Sequence, residues 1–94
     1  MTKEEILTRF KENGYKVKEG YENYYREPAM VISKPINEHN NHEIVIKLKS
    51  QTVESYDYFY MQSYPMNAFE LGLVLELFIA LGFIRILDKE VVEE

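Results

Sequence analysis

One apolar stretch near the end of the chain decides the fold: residues 67–83, which read NAFELGLVLELFIALGF. Asn67 and Glu70 have the spacing of a helix-capping box, in which each side chain binds the other residue's backbone amide. Gly82 supplies the left-handed residue that commonly follows the last turn of a helix. The stretch therefore predicts a helix that begins after Asn67 and ends at about Leu81.

This predicted helix is apolar around most of its circumference. We expect one broad face to lie in the core: Leu71, Val74, Leu75, Phe78, Ile79 and Leu81. A second stripe is also too apolar for a solvated surface: Phe69, Leu73, Glu76, Leu77 and Ala80. The sequence leaves two covers open for this stripe, the first helix of the same chain or another protein, and a twofold homodimer is the specific form we expect.

The residues before this helix alternate in the manner of β-strands. The clearest case is residues 43–49, which place Ile44, Ile46 and Leu48 on one face and Val45, Lys47 and Lys49 on the other. Further strands are predicted at residues 15–18, 30–33, 55–62 and 83–87. The first of these is expected to end in a turn at Glu19 and Gly20, and the second to end at Pro35.

The first residues predict a second, shorter helix. Thr2 and Glu5 form another capping box, an apolar stripe of Ile6, Leu7 and Phe10 follows, and Gly14 marks the end. The predicted order is α-β-β-β-β-α-β. We therefore expect an α+β fold with an antiparallel sheet of four to five strands and two helices packed on one face. Residues 1–94 would form a single domain, with a short acidic tail over residues 88–94.

Composition narrows the possible classes of protein. The chain has 94 residues and no cysteine, which removes disulfides, thiolate catalysis and cysteine-based metal sites. Its four glycines are isolated, so there is no phosphate-binding loop, and we expect no cofactor and no catalytic residues. The charged first residues do not resemble a secretory signal, and no apolar run is long enough for a membrane span. A cytoplasmic protein is the expectation.

Charge is distributed unevenly along the chain. The formal net charge is -5, yet all but two of the eleven lysines and arginines lie within the first 49 residues. An acidic second half suggests a basic partner protein. The abundance of residues with AT-rich codons, such as eight tyrosines and five phenylalanines, is typical of low-GC bacteria and their phages.

Two other patterns suggest alternative sites. If the strands face the helices as predicted, lysines and tyrosines share the outer sheet face: Lys16, Lys18, Lys47, Lys49, Tyr56, Tyr58 and Tyr60. Aromatic and basic side chains in that arrangement bind single-stranded nucleic acid. His39 and His42 are weak candidates for a metal site, because neither a third histidine nor a cysteine completes a ligand set.

The leading hypothesis is a non-enzymatic protein-binding or accessory domain, of the inhibitory or phage-associated kind, that acts by covering a partner's surface. The alternative is single-stranded nucleic-acid binding through the lysine and tyrosine face. Both remain open at the level of sequence.

Overall fold

The computed structural model describes residues 1–22 and 27–85, which form one antiparallel sheet with two helices on one face. In chain order the elements are α1 (Lys3–Glu12), β1 (Lys16–Glu22), β2 (Pro28–Asn37), β3 (Asn40–Lys47), β4 (Thr52–Asp57) and α2 (Ala68–Ala80). The strands pair in the order β1-β2-β3-β4, so each strand lies beside its neighbour in sequence. The predicted α+β fold with a meander sheet is confirmed.

The prediction of a strand over residues 83–87 is not supported where it can be compared. Residues 83 and 84 form a bend, residue 85 has no regular secondary structure, and residues 86 and 87 lie outside the described part of the chain. The predicted acidic tail, residues 88–94, also lies outside it.

Both helices begin at the predicted capping boxes. The Glu70 amide donates to Asn67 Oδ1 at 2.8 Å, while the Asn67 amide donates to Glu70 Oε1 at 2.9 Å, and Thr2 and Glu5 do the same at α1. At the end of α2, Gly82 has a φ of +81° and the Phe83 amide donates to the Phe78 carbonyl at 2.8 Å. These contacts form a Schellman motif.

Two strands run further than the sequence suggested. The turn predicted at Gly20 is a bulge within β1, since Gly20 has a φ of +72° and the register against β2 shifts between Lys18 and Tyr21. A glycine in the left-handed region is typical of such bulges. β2 continues through Pro35, where it pairs with β3 alone, because its pairing with β1 ends at Ser33. Proline is tolerated at such an edge position, since no neighbouring strand needs its missing amide hydrogen.

β4 is shorter than predicted and ends at Asp57. The side chains of Asp57 and Asn40 bind the next backbone amides, so that a turn replaces the sheet ladder. Tyr58 and Tyr60 therefore lie in this turn and not in a strand.

The core face of α2 differs from the prediction. Leu73 and Leu77 are buried, at 6% and 0% exposure, whereas Leu71 and Leu75 are 53% and 52% exposed. Leu73 and Leu77, two residues of the stripe expected to need a partner, are thus packed in the core with α1, and part of the expected core face is open. The reason is Glu70, which begins the inward row: its carboxyl group has partners inside the protein, and it fixes the rotation of the helix.

Candidate functional site

The most exposed apolar surface of the described residues is the turn after β4, Tyr58–Met61, which we call the aromatic turn. Its four large side chains are between 60% and 68% exposed. The Phe59 and Tyr60 rings contact each other edge to face, with centroids 4.9 Å apart. Four consecutive residues of this size therefore place a large amount of apolar surface in solvent, and exposed apolar surface of this extent commonly marks an interaction site.

The backbone of the aromatic turn is held by hydrogen bonds. Each of its four amides donates to an oxygen of Asn40, Asn41 or Asp57, over 2.6 to 2.9 Å. Asp57 is itself buried and also accepts from the Asn40 side chain at 3.3 Å. The turn is therefore anchored to the β2–β3 hairpin, and its shape does not depend on a partner.

One residue of the aromatic turn has a strained backbone. Met61 has a φ of +55°, in the left-handed region that glycine and asparagine normally occupy. Strain of this kind persists where the surrounding contacts determine the conformation. Here the Met61 amide donates to the Asp57 carbonyl, and the Asp57 amide donates to the Gln62 carbonyl, both at 2.9 Å.

The lysines and tyrosines predicted for the outer sheet face are only partly brought together. Lys16 and Lys18 are on β1 as expected, but the Lys47 ammonium lies 3.1 Å from the Glu54 carboxylate. Tyr56 packs against a small apolar cluster of Ala29, Val31 and Val45 on this face. Lys49 and Tyr60 lie outside the strands.

A basic groove, as we call it, nevertheless crosses this face. It has a volume of about 720 Å³, and its lining includes Lys11, Lys16, Lys18, Tyr58 and Glu43. Burial raises the pKa of the Glu43 carboxyl group, an effect that the nearby Lys18 partly offsets. The groove thus combines cations with one aromatic ring, and one carboxyl group opposes them.

The helix stripe predicted as an interaction surface is not an open surface. Leu73 and Leu77 are in the core, as described above. Phe69 stacks on Tyr15 with ring centroids 6.0 Å apart, Glu76 lies 4.0 Å from the amino group of Met1, and Ala80 is exposed.

His39 and His42 have different environments and are not placed as joint metal ligands. The His39 side chain is exposed at the β2–β3 turn, while His42 is 5% exposed beneath α2. Within residues 1–22 and 27–85, no group of three potential ligands comes together.

His42 instead belongs to a cluster that the sequence did not reveal, which we call the buried network. Its Nε2 lies 2.6 Å from Ser55 Oγ and its Nδ1 lies 3.3 Å from Glu70 Oε2. The Tyr15 hydroxyl donates to the same Glu70 oxygen at 2.6 Å, and Ser55 Oγ donates to the Tyr64 carbonyl. Five segments of the chain meet here: the residue before β1, β3, β4, the segment before α2, and α2 itself.

The hydrogen-bond directions in the buried network locate its protons. Because Ser55 donates its one hydroxyl hydrogen to the Tyr64 carbonyl, His42 Nε2 must donate to Ser55. His42 Nδ1 also lies 3.3 Å from Glu70 Oε2, so the imidazole ring and the carboxyl group are in direct contact. Burial and the hydrogen bond to Glu70 raise the pKa of the Tyr15 hydroxyl, which stays a donor.

This cluster has the residue types of a nucleophilic triad but not its proton arrangement. A serine nucleophile gives its proton to the histidine, whereas the Ser55 proton points to the Tyr64 carbonyl. The Tyr64 amide also donates to the Ser55 carbonyl at 3.1 Å. The network joins the segment before α2 to the sheet.

One sequence signal could have revealed part of the buried network. Glu70, Leu73, Val74 and Leu77 are spaced i, i+3, i+4, i+7, as on the inward face of a helix. An acidic residue at the start of such a row suggests a buried partner. The partners of Glu70 are Tyr15 and His42, which lie far away in sequence and carry no motif.

Comparison with known proteins found no match: no protein family, no curated protein and no solved structure resembles the chain. In the described ranges, neither helix has the length and apolar character needed to cross a membrane.

Proposed function

We propose that this chain is a non-enzymatic protein-binding domain that docks through the aromatic turn. One observation carries the proposal: four consecutive large apolar side chains are exposed on a backbone whose amides are all hydrogen-bonded. The partner is a protein with an apolar pocket, and the domain acts by covering that pocket.

The physics of interfaces supports this choice of surface. Aromatic side chains dominate binding energy when they enter desolvated pockets, and tyrosine is among the residues most enriched there. Binding usually costs entropy because loops must become ordered, but the aromatic turn is already fixed by Asn40, Asn41 and Asp57. A larger share of the free energy gained by burying its side chains therefore remains as binding affinity.

A second copy of the chain is a weaker candidate for the partner than the sequence suggested. The expected homodimer was to cover Leu73 and Leu77, and α1 supplies that cover within one chain. We therefore propose a partner of different sequence.

Quantitative affinity capture from a lysate of the source organism tests the proposal. The double variant Phe59→Ser/Tyr60→Ser should lose a stoichiometric protein that the wild type retains. Leu71→Ser/Leu75→Ser is the matched control, since it also removes two exposed apolar side chains, and it should retain that protein. Equal retention by the turn variant would contradict docking through the aromatic turn.

A second candidate function is single-stranded nucleic-acid binding in the basic groove. It is favoured by the placement of Lys11, Lys16 and Lys18 around one cavity with Tyr58. A mobility shift with a poly-pyrimidine oligonucleotide at low salt, weakened in Lys16→Glu and restored towards wild type by adding Glu43→Gln, would support it. The absence of a shift at low salt would dismiss it, because phosphate contacts are strongest there.

A further inference from the structure

A second cavity, of about 670 Å³, lies over the buried network. It is bounded by β2, by the segment before α2 and by the first turn of α2. Sites for small molecules commonly have volumes of about 300 to 1,000 Å³ and combine apolar walls with a few polar groups. Pro35, Ile36 and Met66 provide apolar wall here, and the Tyr15 and Tyr64 side chains also line the cavity.

The floor of the cavity contains a carboxyl group that is not available to a ligand. Glu70 Oε1 accepts from the Asn67 amide, and Oε2 accepts from Tyr15 and contacts His42. Glu70 is 3% exposed and both of its carboxyl oxygens have partners within the protein, so the floor offers a positively charged ligand no free acceptor.

Lys34 is the exposed charged residue in the lining of the cavity. The Lys34 ammonium lies 4.8 Å from the centroid of the Tyr15 ring, and no carboxylate in the described part of the chain is within ion-pair distance of it. The Tyr64 ring also lines the cavity, and its centroid lies 4.5 Å from that of the His42 ring.

From these features we infer that the cavity binds a small organic anion with a flat apolar body, such as an aromatic carboxylate. The carboxylate pairs with Lys34, and the apolar body lies against the Tyr15 and Tyr64 rings. The proposed docking by the aromatic turn does not depend on this site, so an experiment that disproves one of the two proposals leaves the other unaffected.

Titration with benzoate, followed by amide NMR signals, tests this inference. Benzoate added to about 10 mM should shift the signals of Lys34, Ile36 and Tyr64 with an affinity in the millimolar range. Benzylamine, which has the same ring and the opposite charge, should leave them unchanged. Lys34→Gln should weaken benzoate binding by about fivefold or more, since the charge partner is lost, whereas Lys49→Gln should bind like the wild type.

Three results would overturn the inference. These are no benzoate-dependent shift at the cavity, benzylamine binding as tightly as benzoate, and unchanged benzoate binding in Lys34→Gln. The second of these would show that Lys34 does not determine which charge the cavity accepts.

Discussion

At the scale of single residues, a few polar side chains bind backbone amides and so fix the conformation of the chain near them. In the aromatic turn, this holds apolar side chains exposed to solvent. Asp57 is the clearest case, since its buried carboxylate accepts the Tyr60 amide at 2.6 Å and so supports the exposed aromatic turn. Glu70 fixes the first turn of α2, since it accepts the Asn67 amide and contacts His42 on β3. The local geometry of the molecule depends on a few such side chains.

The strain at Met61 gives a first prediction. Met61→Gly should raise the free energy of unfolding by about 0.5 to 1 kcal/mol, because glycine adopts a positive φ without penalty and the methionine side chain is mostly exposed. Urea denaturation measures the change. Tyr60→Gly, which does not relieve a positive φ, should lower stability; a loss of stability in Met61→Gly would contradict the account of strain.

Glu43 gives a prediction about pH. Since burial raises the pKa of its carboxyl group above the ordinary 4.5, the folded protein binds this proton more tightly than the unfolded chain. The protonated Glu43 carboxyl group therefore contributes to the stability of the fold. This contribution is fully present below the ordinary pKa of 4.5 and is lost as the pH rises through the pKa of the folded protein. Glu43→Gln should therefore be more stable than wild type at neutral pH, by less than about 1 kcal/mol because solvent screens this partly exposed group.

Denaturation of both proteins at neutral pH and at about pH 4 checks the sign, because the advantage of Glu43→Gln should shrink in acid. If the stability advantage of Glu43→Gln over wild type grew on acidification, the predicted sign would be wrong.

At the scale of elements, the sequence predicted helix ends well and helix rotation poorly. The capping boxes at Thr2 and Asn67 are local patterns, and both form. The rotation of α2 depends on contacts between Glu70 and residues far away in sequence, so the predicted core face is right for Val74 and wrong for Leu71 and Leu75. β4 was predicted too long for a similar reason, because Asn40 helps to end it from another hairpin.

A matched pair of leucine substitutions tests the rotation of α2. Leu73→Ala should lower the free energy of unfolding by about 2 to 5 kcal/mol, since it opens a cavity in the core. Leu71→Ala, on the exposed side, should change it by no more than about 0.5 kcal/mol. Chemical denaturation measures both, and a larger loss in Leu71→Ala would reverse the assignment of faces.

At the scale of the whole molecule, one face of the sheet carries the core and the other carries the basic groove, while the aromatic turn lies beyond the end of β4. The sequence predicted the layers because alternation and capping are short-range signals. It did not predict the aromatic turn, since Tyr58 and Tyr60 alternate like strand residues, or the cavity near Lys34, which forms only when separate segments meet.

The intramolecular cover of Leu73 and Leu77 predicts a monomer. Light scattering at high micromolar concentration should give the mass of one chain, 11.2 kDa. A dimer that dissociates in Leu71→Asp/Leu75→Asp would contradict this and would restore the homodimer with the exposed side of α2 as its interface.

Site-specific photo-cross-linking tests the central claim, that the aromatic turn is the docking surface, most directly. A benzophenone amino acid at position 59 should give one discrete adduct with a protein of different sequence, and the same group at position 71 should give none. Equal adducts from both positions, or no adduct from position 59, would contradict the claim.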